Sequence, residues 1–165
     1  MDIYEVTGLK RPEIVEHIKK YADLDASTKE LIQAAIAAQR NAYVKYSNFY
    51  VGAAFRTKDA RIFAGCNIEN ASFTPTTCAE RTALSKAISE GYTEFVAGAV
   101  VAYQEDAFTT PCGVCRQFIM EFAPSDIPLF ITKSQVGVEK ANDELVLATS
   151  IYNLLPHGFR TFKGN

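Results

Sequence analysis

The sequence contains no tryptophan and only two histidines among its 165 residues. Neither His17, predicted in a solvated helix, nor His157, predicted in a loop, has metal-pair spacing with the cysteines. Long apolar runs are also absent: the longest, Phe95 to Tyr103, is far shorter than the roughly 20 residues that span a bilayer. No signal peptide is readable at the N-terminus. These absences favour a cytoplasmic protein with no membrane partner.

A basic excess is missing too. The net charge is −2, and the basic clusters Lys10-Arg11 and Lys19-Lys20 are short. Proteins that bind nucleic acids usually carry a basic patch or stripe. A nucleic-acid partner, and with it a reaction on a base within RNA or DNA, is therefore disfavoured.

What is present fits one globular domain over residues 1–165, with residues 1–26 as an N-terminal extension of unclear role. Hydrophobic residues make up 48% of the chain and charged residues 22%. The four cysteines, in a chain expected to be cytoplasmic, are more typical of ligands, catalysts or core residues than of disulfides.

The N-terminal part of the chain predicts two helices followed by a hairpin. Arg11–Tyr21 carries apolar residues at helical spacing, and Ser27 with Glu30 fits a capping box at the start of a longer helix. Two apolar segments, 51–57 and 61–68, are separated by a short turn and predict paired strands.

The C-terminal part alternates helices and strands. The pattern predicts helices at Cys78–Glu90 and Gly113–Phe122, and strands at Phe95–Tyr103, Ile127–Thr132 and Leu145–Ala148. Because no helical period appears between the last two strands, we expect them to be antiparallel. The resulting fold class is α/β, with one mixed five-stranded sheet sandwiched between helices.

Three cysteines lie where loops pass into predicted helices. Cys112 and Cys115 have the two-residue gap of a metal-binding pair, and Cys78 offers a third thiolate. Helix N-termini stabilise the thiolate form that zinc requires. Three protein ligands leave a fourth position for water, which is typical of a catalytic zinc site.

Glu80 is the natural general acid and base beside this site. Residues two apart on a regular helix point in roughly opposite directions, so Cys78 and Glu80 serve one metal only if Cys78 lies in an irregular first turn. The pattern Cys-x-Glu followed by Pro-Cys-x-x-Cys is the three-cysteine variant of the signature of zinc-dependent nucleobase deaminases.

Three thiolates around a divalent zinc leave a net charge of about −1, which weakens the pull of zinc on water. We hypothesise that Arg81, and also Arg116, donates hydrogen bonds to thiolate sulfurs and partly restores that pull. An alternative recruits Cys66 as a fourth ligand, closes the site and makes the chain a non-catalytic zinc-stabilised interaction domain. Buried free thiols without a metal are a further alternative.

From residue 42 to 159 the chain resembles the small homotetrameric cytidine deaminases. The resemblance rests on the zinc segments above and on ordered motifs at 46–54, 65–73, 116–119 and 154–156. It implies the cytidine deaminase fold and one Zn²⁺ per chain, bound by Cys78, Cys112 and Cys115. It also implies that Glu80 transfers protons and that chains assemble as homotetramers with shared active sites.

The same resemblance implies the substrate contacts. Asn67 and Glu69 match residues that bind a ribose hydroxyl, Phe49 one that packs on the pyrimidine, and Ala79 one whose backbone contacts the base. Phe159 matches an aromatic residue that covers a neighbouring subunit's site. Structural alternatives stay open: Asn67 and Glu69 as turn residues, and both phenylalanines as ordinary packing.

The implied activity is hydrolytic deamination of cytidine and deoxycytidine to uridine and deoxyuridine, with release of ammonia, in pyrimidine salvage. An alternative substrate is a cytosine-bearing nucleoside antibiotic. One departure lies near the implied site, because Phe73 stands where many members of the family carry tyrosine.

Overall fold

The computed structural model describes residues 1–7, 9–140 and 144–160. Their helices and strands follow one another in the order α1 (Ile3–Thr7), β1 (His17–Lys20), a 3₁₀ turn (Tyr21–Asp23), α2 (Ala26–Gln39), β2 (Val51–Thr57), β3 (Ile62–Cys66), α3 (Ala79–Ser89), β4 (Phe95–Ala102), α4 (Gly113–Phe122), β5 (Pro128–Lys133), β6 (Leu145–Ser150) and α5 (Ile151–Leu154). Within the described ranges, no helix is long and apolar enough to cross a membrane.

In this described part of the chain, six strands form one mixed sheet in the order β1-β6-β5-β4-β2-β3. Among these strand pairs only the central one, β4–β5, is parallel, and α4 lies in the connection between its two strands. The other four pairs are antiparallel, which confirms the predicted hairpin β2–β3 and the predicted return from β5 to β6. Residues 141–143 of that return lie outside the described residues.

The predicted number of five strands is wrong, and so is the predicted helix at Arg11–Tyr21. Residues His17–Lys20 form β1 instead, with His17 opposite Ala148 and Lys20 opposite Leu145. All four β1 side chains are exposed, as is Val15. Without β1, the outer edge of β6 would present unpaired N–H and C=O groups. That opportunity for pairing outweighs a weak helical pattern.

The longer predicted helix exists as α2, but its predicted N-cap, Ser27, is wrong. Asp25 is the N-cap: its carboxylate accepts hydrogen bonds from the Thr28 backbone N–H and hydroxyl, both at 2.8 Å. These bonds lower the pKa of Asp25. Glu30, assigned by the sequence to a capping box, instead forms an ion pair with Arg56 at 3.0 Å.

Helices cover both faces of the sheet. One face packs on α2, and the buried residues there include Leu31, Ile32, Ala35, Ala54, Ala99, Val101 and Val146. The other packs on α3 and α4, with Phe55, Ala83, Leu84, Val100, Ile119, Leu129 and Ile131. Strand β4 sends alternate residues to the two faces, which explains why its sequence is almost continuously apolar.

A glycine sets the distance between α3 and the sheet. A Cβ built at Gly65 in β3 would lie 2.5 Å from the backbone nitrogen of Ala83. The absent side chain therefore lets α3 lie directly on β3. Because α3 begins at Ala79, this contact also fixes the start of the helix, where the predicted metal ligand Cys78 and the predicted acid Glu80 lie.

Candidate active site

The three predicted ligand cysteines lie together at the N-termini of α3 and α4. Cys78 and Cys112 are the N-cap residues of these helices, both with extended backbone, and Cys115 is buried in the first turn of α4. All three Sγ atoms lie within 4.8 Å of one another, and those of Cys78 and Cys112 are 4.0 Å apart. The parallel crossover from β4 to β5 thus brings the pair Cys112 and Cys115 up to Cys78, which lies between β3 and β4.

This cluster fits zinc. Tetrahedral ligands with Zn–S bonds of about 2.3 Å place sulfurs about 3.8 Å apart, close to the spacing found here. Within the described residues, no further histidine, cysteine, aspartate or glutamate joins the group. Cys66 lies in β3 outside it, with its pKa raised by burial. The four-cysteine alternative therefore has no support in the geometry, and a fourth coordination position stays available to a small ligand.

The cluster favours a thiolate at Cys78. A hydrogen bond from the thiol of Cys115 lowers the pKa of Cys78 to about 5, and the same bond raises the pKa of Cys115. The guanidinium of Arg81 adds to this effect, with its Nη2 3.8 Å from the Cys78 sulfur and 3.1 Å from the Thr76 carbonyl oxygen. Arg81 thus makes the contact to a ligand sulfur that we hypothesised would offset the negative charge of three thiolates.

Arg116 makes different contacts. Its guanidinium donates to the Pro111 carbonyl at 2.7 Å, to the Leu154 carbonyl at 2.9 Å and to the Thr110 hydroxyl at 3.0 Å. These bonds join the loop before Cys112 to the C-terminal part of the chain. Arg116 therefore holds the chain segments around the site and makes none of these hydrogen bonds to a sulfur.

Glu80 is a buried carboxyl beside the cluster. It lies in the first turn of α3 with only 4% of its surface exposed. Burial raises its pKa to about 7, and the negative charge of Cys78 acts in the same direction. The extended backbone of Cys78 removes the geometric objection raised by the sequence, because Cys78 precedes the regular turn in which Glu80 lies.

A cavity of about 470 Å³ opens in front of these groups. Its volume lies within the range of small-molecule sites. It is lined by Cys78, Ala79, Glu80 and Cys112 on the metal side, and otherwise by Ser47, Phe49, Val51, Asn67, Glu69, Thr76, Thr77, Val100, Thr109 and Thr110. Five of the predicted substrate and catalytic residues therefore share one cavity.

Two of these residues already serve the turn that leads into β2. The Asn67 amide accepts from the Val51 N–H at 2.9 Å and donates to the Phe49 carbonyl at 2.8 Å. The Glu69 carboxylate accepts from the Tyr46 N–H at 2.8 Å and also binds Ser47. The turn-forming alternative thus describes part of what these side chains do, although both still line the cavity.

Ser47 is a site residue that the sequence analysis missed. Its hydroxyl binds Glu69 and accepts from the Phe49 N–H at 3.0 Å, and it contributes most to lowering the pKa of Glu69. The only signal in the sequence was that Ser47 lies in the motif 46–54, one of those on which the resemblance to cytidine deaminases rests. Thr109 was missed as well, and its buried hydroxyl has no hydrogen-bond partner within the described part of the chain.

Two aromatic residues lie away from the cavity. Phe159 is 66% exposed and Phe73 is 79% exposed, and neither lines the cavity. The backbone carbonyl of Phe159 accepts a hydrogen bond from Gln117 at 2.8 Å, so the C-terminal segment is held against α4. The predicted role of Phe159 concerns a neighbouring subunit and stays a prediction.

A three-thiol metal site with an open position beside a buried carboxyl defines a zinc-dependent hydrolase. Residues 25–131 match the family model described as the cytidine and deoxycytidylate deaminase zinc-binding region. The chain belongs to this family.

Similar proteins agree with this assignment. The cytidine deaminase of Sporosarcina psychrophila is 43% identical over 79% of this chain and 90% of its own length. The crystal structure of cytidine deaminase from Burkholderia pseudomallei has a TM-score of 0.69 and 43% identity over 79% of this chain and 98% of the other. The blasticidin-S deaminase of Bacillus cereus is 33% identical over 59% of this chain and 74% of its own length.

Proposed function

We propose that this protein is a zinc-dependent deaminase that converts cytidine and deoxycytidine to uridine and deoxyuridine with release of ammonia. One observation carries the proposal: two cysteines of the three-cysteine cluster, Cys78 and Cys112, line a single cavity of small-molecule size together with the buried Glu80. We further propose that it acts in cytoplasmic pyrimidine salvage.

Cys78, Cys112 and Cys115 would hold the zinc ion, which would act as a Lewis acid and lower the pKa of the attacking water. Glu80 accepts a proton from that water as its oxygen bonds to C4 of the cytosine ring. The carboxyl then protonates N3 of the ring. It next takes the remaining proton from the hydroxyl now bonded to C4 and delivers it to the amino group at C4. The C4–N bond breaks and ammonia leaves, so cytidine and water give uridine and ammonia.

The burial of Glu80 suits this role. With only 4% of its surface exposed, Glu80 is largely shielded from bulk water while it still lines the cavity. Burial also raises the pKa of Glu80 toward neutrality, which makes both the acid and the base form accessible. General acid–base catalysis by one positioned side chain contributes about 10²- to 10⁴-fold in rate.

The other end of the cavity binds the nucleoside. Phe49 packs on the pyrimidine ring, the Ala79 backbone contacts the base, and Asn67 with Glu69 binds the ribose hydroxyl. The hydroxyl of Ser47 lowers the pKa of Glu69, a shift toward the ionised form that accepts hydrogen bonds. Because cytidine and deoxycytidine share the 3′ hydroxyl, both sugars meet these requirements.

We also propose a homotetramer in which neighbouring chains complete each site. Two large aromatic side chains, Phe159 and Phe73, are mostly exposed in the single chain, although water is an unfavourable environment for such surface. Covering them on a second copy would bury this area and bring Phe159 to a neighbouring cavity.

A cytosine-bearing nucleoside antibiotic is a second candidate substrate, because the chain also matches a blasticidin-S deaminase, although over less of its length. Purified, zinc-loaded protein would be incubated with cytidine, deoxycytidine, CMP, cytosine and blasticidin S, and the fall in ultraviolet absorbance followed. We expect turnover of the first two compounds. Turnover of blasticidin S alone would favour the antibiotic, and bound zinc without any turnover would favour an interaction domain.

A further inference from the structure

The N-terminal part of the chain lies outside the family match, which begins at residue 25. Residues 9–20, here called the strap, end in β1 and run beside the C-terminal segment 150–156. The two segments are joined by backbone and side-chain hydrogen bonds rather than by an apolar core, since most strap side chains are exposed.

The contact between the strap and the C-terminal segment is centred on Asp126, a carboxylate with only 6% of its surface exposed. One oxygen accepts from the backbone N–H groups of Glu13 at 2.8 Å and Ile14 at 3.2 Å. The other oxygen accepts from the N–H of Tyr152 at 3.0 Å, in the first turn of α5. A single buried side chain therefore satisfies amides from both segments, and a buried acceptor of this kind couples the groups it joins.

Further hydrogen bonds join the strap to the C-terminal segment. The Lys10 N–H donates to the Pro156 carbonyl at 2.6 Å, and the Asn153 amide donates to the Ile14 carbonyl at 2.8 Å. Strand pairing of β1 with β6 continues the contact. Chain termini are usually poorly ordered unless they are tied down. Here the hydrogen bonds between the strap and the C-terminal segment hold each of them in place.

The C-terminal segment in turn reaches the active site. The Leu154 carbonyl accepts from Arg116 at 2.9 Å, and Arg116 also binds Pro111 and the Thr110 hydroxyl. Thr110 lines the substrate cavity, and Pro111 directly precedes the metal ligand Cys112. A continuous set of hydrogen bonds and short chain segments therefore joins the strap to the cavity wall.

We propose that the strap positions the active site through Asp126. The strap and Asp126 together fix residues 151–156, and this segment holds Arg116 through the Leu154 carbonyl. Arg116 in turn fixes Thr110 in the wall of the cavity. Asp126 is a positioning residue, since it touches neither metal nor substrate. The kinetic part of this inference rests on the proposed deaminase function, whereas the coupling between strap and C-terminal segment does not.

A matched pair at one exposed position tests the coupling in the full-length, zinc-loaded protein. Glu13→Pro removes the shorter of the two strap N–H bonds that Asp126 accepts, whereas Glu13→Ala removes only the exposed side chain and keeps both bonds. Asp126→Asn is the second variant, because its amide leaves only one acceptor oxygen for the N–H groups of the two segments. Each protein would be measured by amide hydrogen exchange, zinc content and steady-state kinetics with cytidine.

In Glu13→Pro and Asp126→Asn we expect about tenfold faster exchange at the amides of Tyr152 and Leu155. We expect the KM for cytidine to rise about three- to tenfold, with kcat within about twofold and one zinc per chain. Glu13→Ala should match the unmodified protein. Unchanged exchange in both variants would overturn the coupling, and faster exchange with unchanged KM would overturn the positioning role. If the unmodified chain does not turn over cytidine, the proposed function fails, and exchange alone still decides the coupling.

Discussion

The metal side of the cavity and the side for which we propose sugar binding, here called the sugar side, are built in different ways. On the metal side, Cys78 and Glu80 lie at the start of α3, which packs directly on β3, and Cys112 lies at the start of α4, which contributes buried residues to the same apolar core. On the sugar side, Asn67 and Glu69 follow the end of β3 and hold an exposed turn through backbone hydrogen bonds. One side is supported by the apolar core, and the other by hydrogen bonds that water also reaches.

This difference matches the proposed division between chemistry and recognition. Groups on rigid elements keep the precise geometry that proton transfer needs, while a turn at the surface suits a sugar that enters from solvent. We therefore expect changes on the metal side to act mainly on kcat, and changes on the sugar side to act mainly on KM.

Glu80→Gln should have the largest effect. The amide keeps the shape of the side chain but cannot carry the proton between water, N3 and the leaving amine. We expect kcat to fall by about 10²- to 10⁴-fold, while the zinc content stays at one per chain. Steady-state assays with cytidine would measure kcat, and metal analysis of the same sample would measure the zinc content. A kcat within tenfold of the unmodified value would remove Glu80 from the mechanism.

Arg81→Gln should have an intermediate effect, still on kcat. It removes the guanidinium that lies 3.8 Å from the Cys78 sulfur, and so leaves more negative charge on the ligand set. Changes beside metal ligands typically cost about 10- to 100-fold in metal affinity or activity. We expect a kcat loss in this range with zinc retained, measured together with zinc affinity by chelator competition.

The matched control for this variant is Arg56→Gln, whose guanidinium pairs with Glu30 and contacts the N-terminal turn of α2, away from the cluster. It should leave kcat unchanged. If Arg81→Gln behaves like Arg56→Gln in both kcat and zinc affinity, Arg81 does not tune the metal and the charge argument fails.

The metal side was also the more predictable of the two from sequence. Cysteine spacing and a helical period are local patterns, so the cluster and the helices that carry it follow from short stretches around Cys78 and Cys112. The near-continuous apolar strand β4 follows for the same reason, since only a strand covered on both faces is so uniformly apolar.

The regions that the sequence did not predict depend on distant parts of the chain. Strand β1 forms because β6, more than 120 residues later, offers an edge for pairing. The N-cap of α2 was placed two residues late because Asp25 and Ser27 are both good caps, and the bond to Thr28 decides between them. Ser47 meets Glu69 only after β2 and β3 pair, so no local pattern pointed to it.

Ser47→Ala should have the smallest effect and is the sharpest test of the sugar side. The substitution removes the hydroxyl bond to the Glu69 carboxylate and the bond that the hydroxyl accepts from the Phe49 N–H, and leaves the backbone N–H bonds to the carboxylate in place. The lost bond to Glu69 corresponds to about a two- to tenfold change, and we expect it in KM for cytidine with kcat unchanged. Ser72→Ala, an exposed serine outside the cavity lining, is the control. A fall in kcat with constant KM would show that the turn also governs the chemistry, and the division between the two sides would then be wrong.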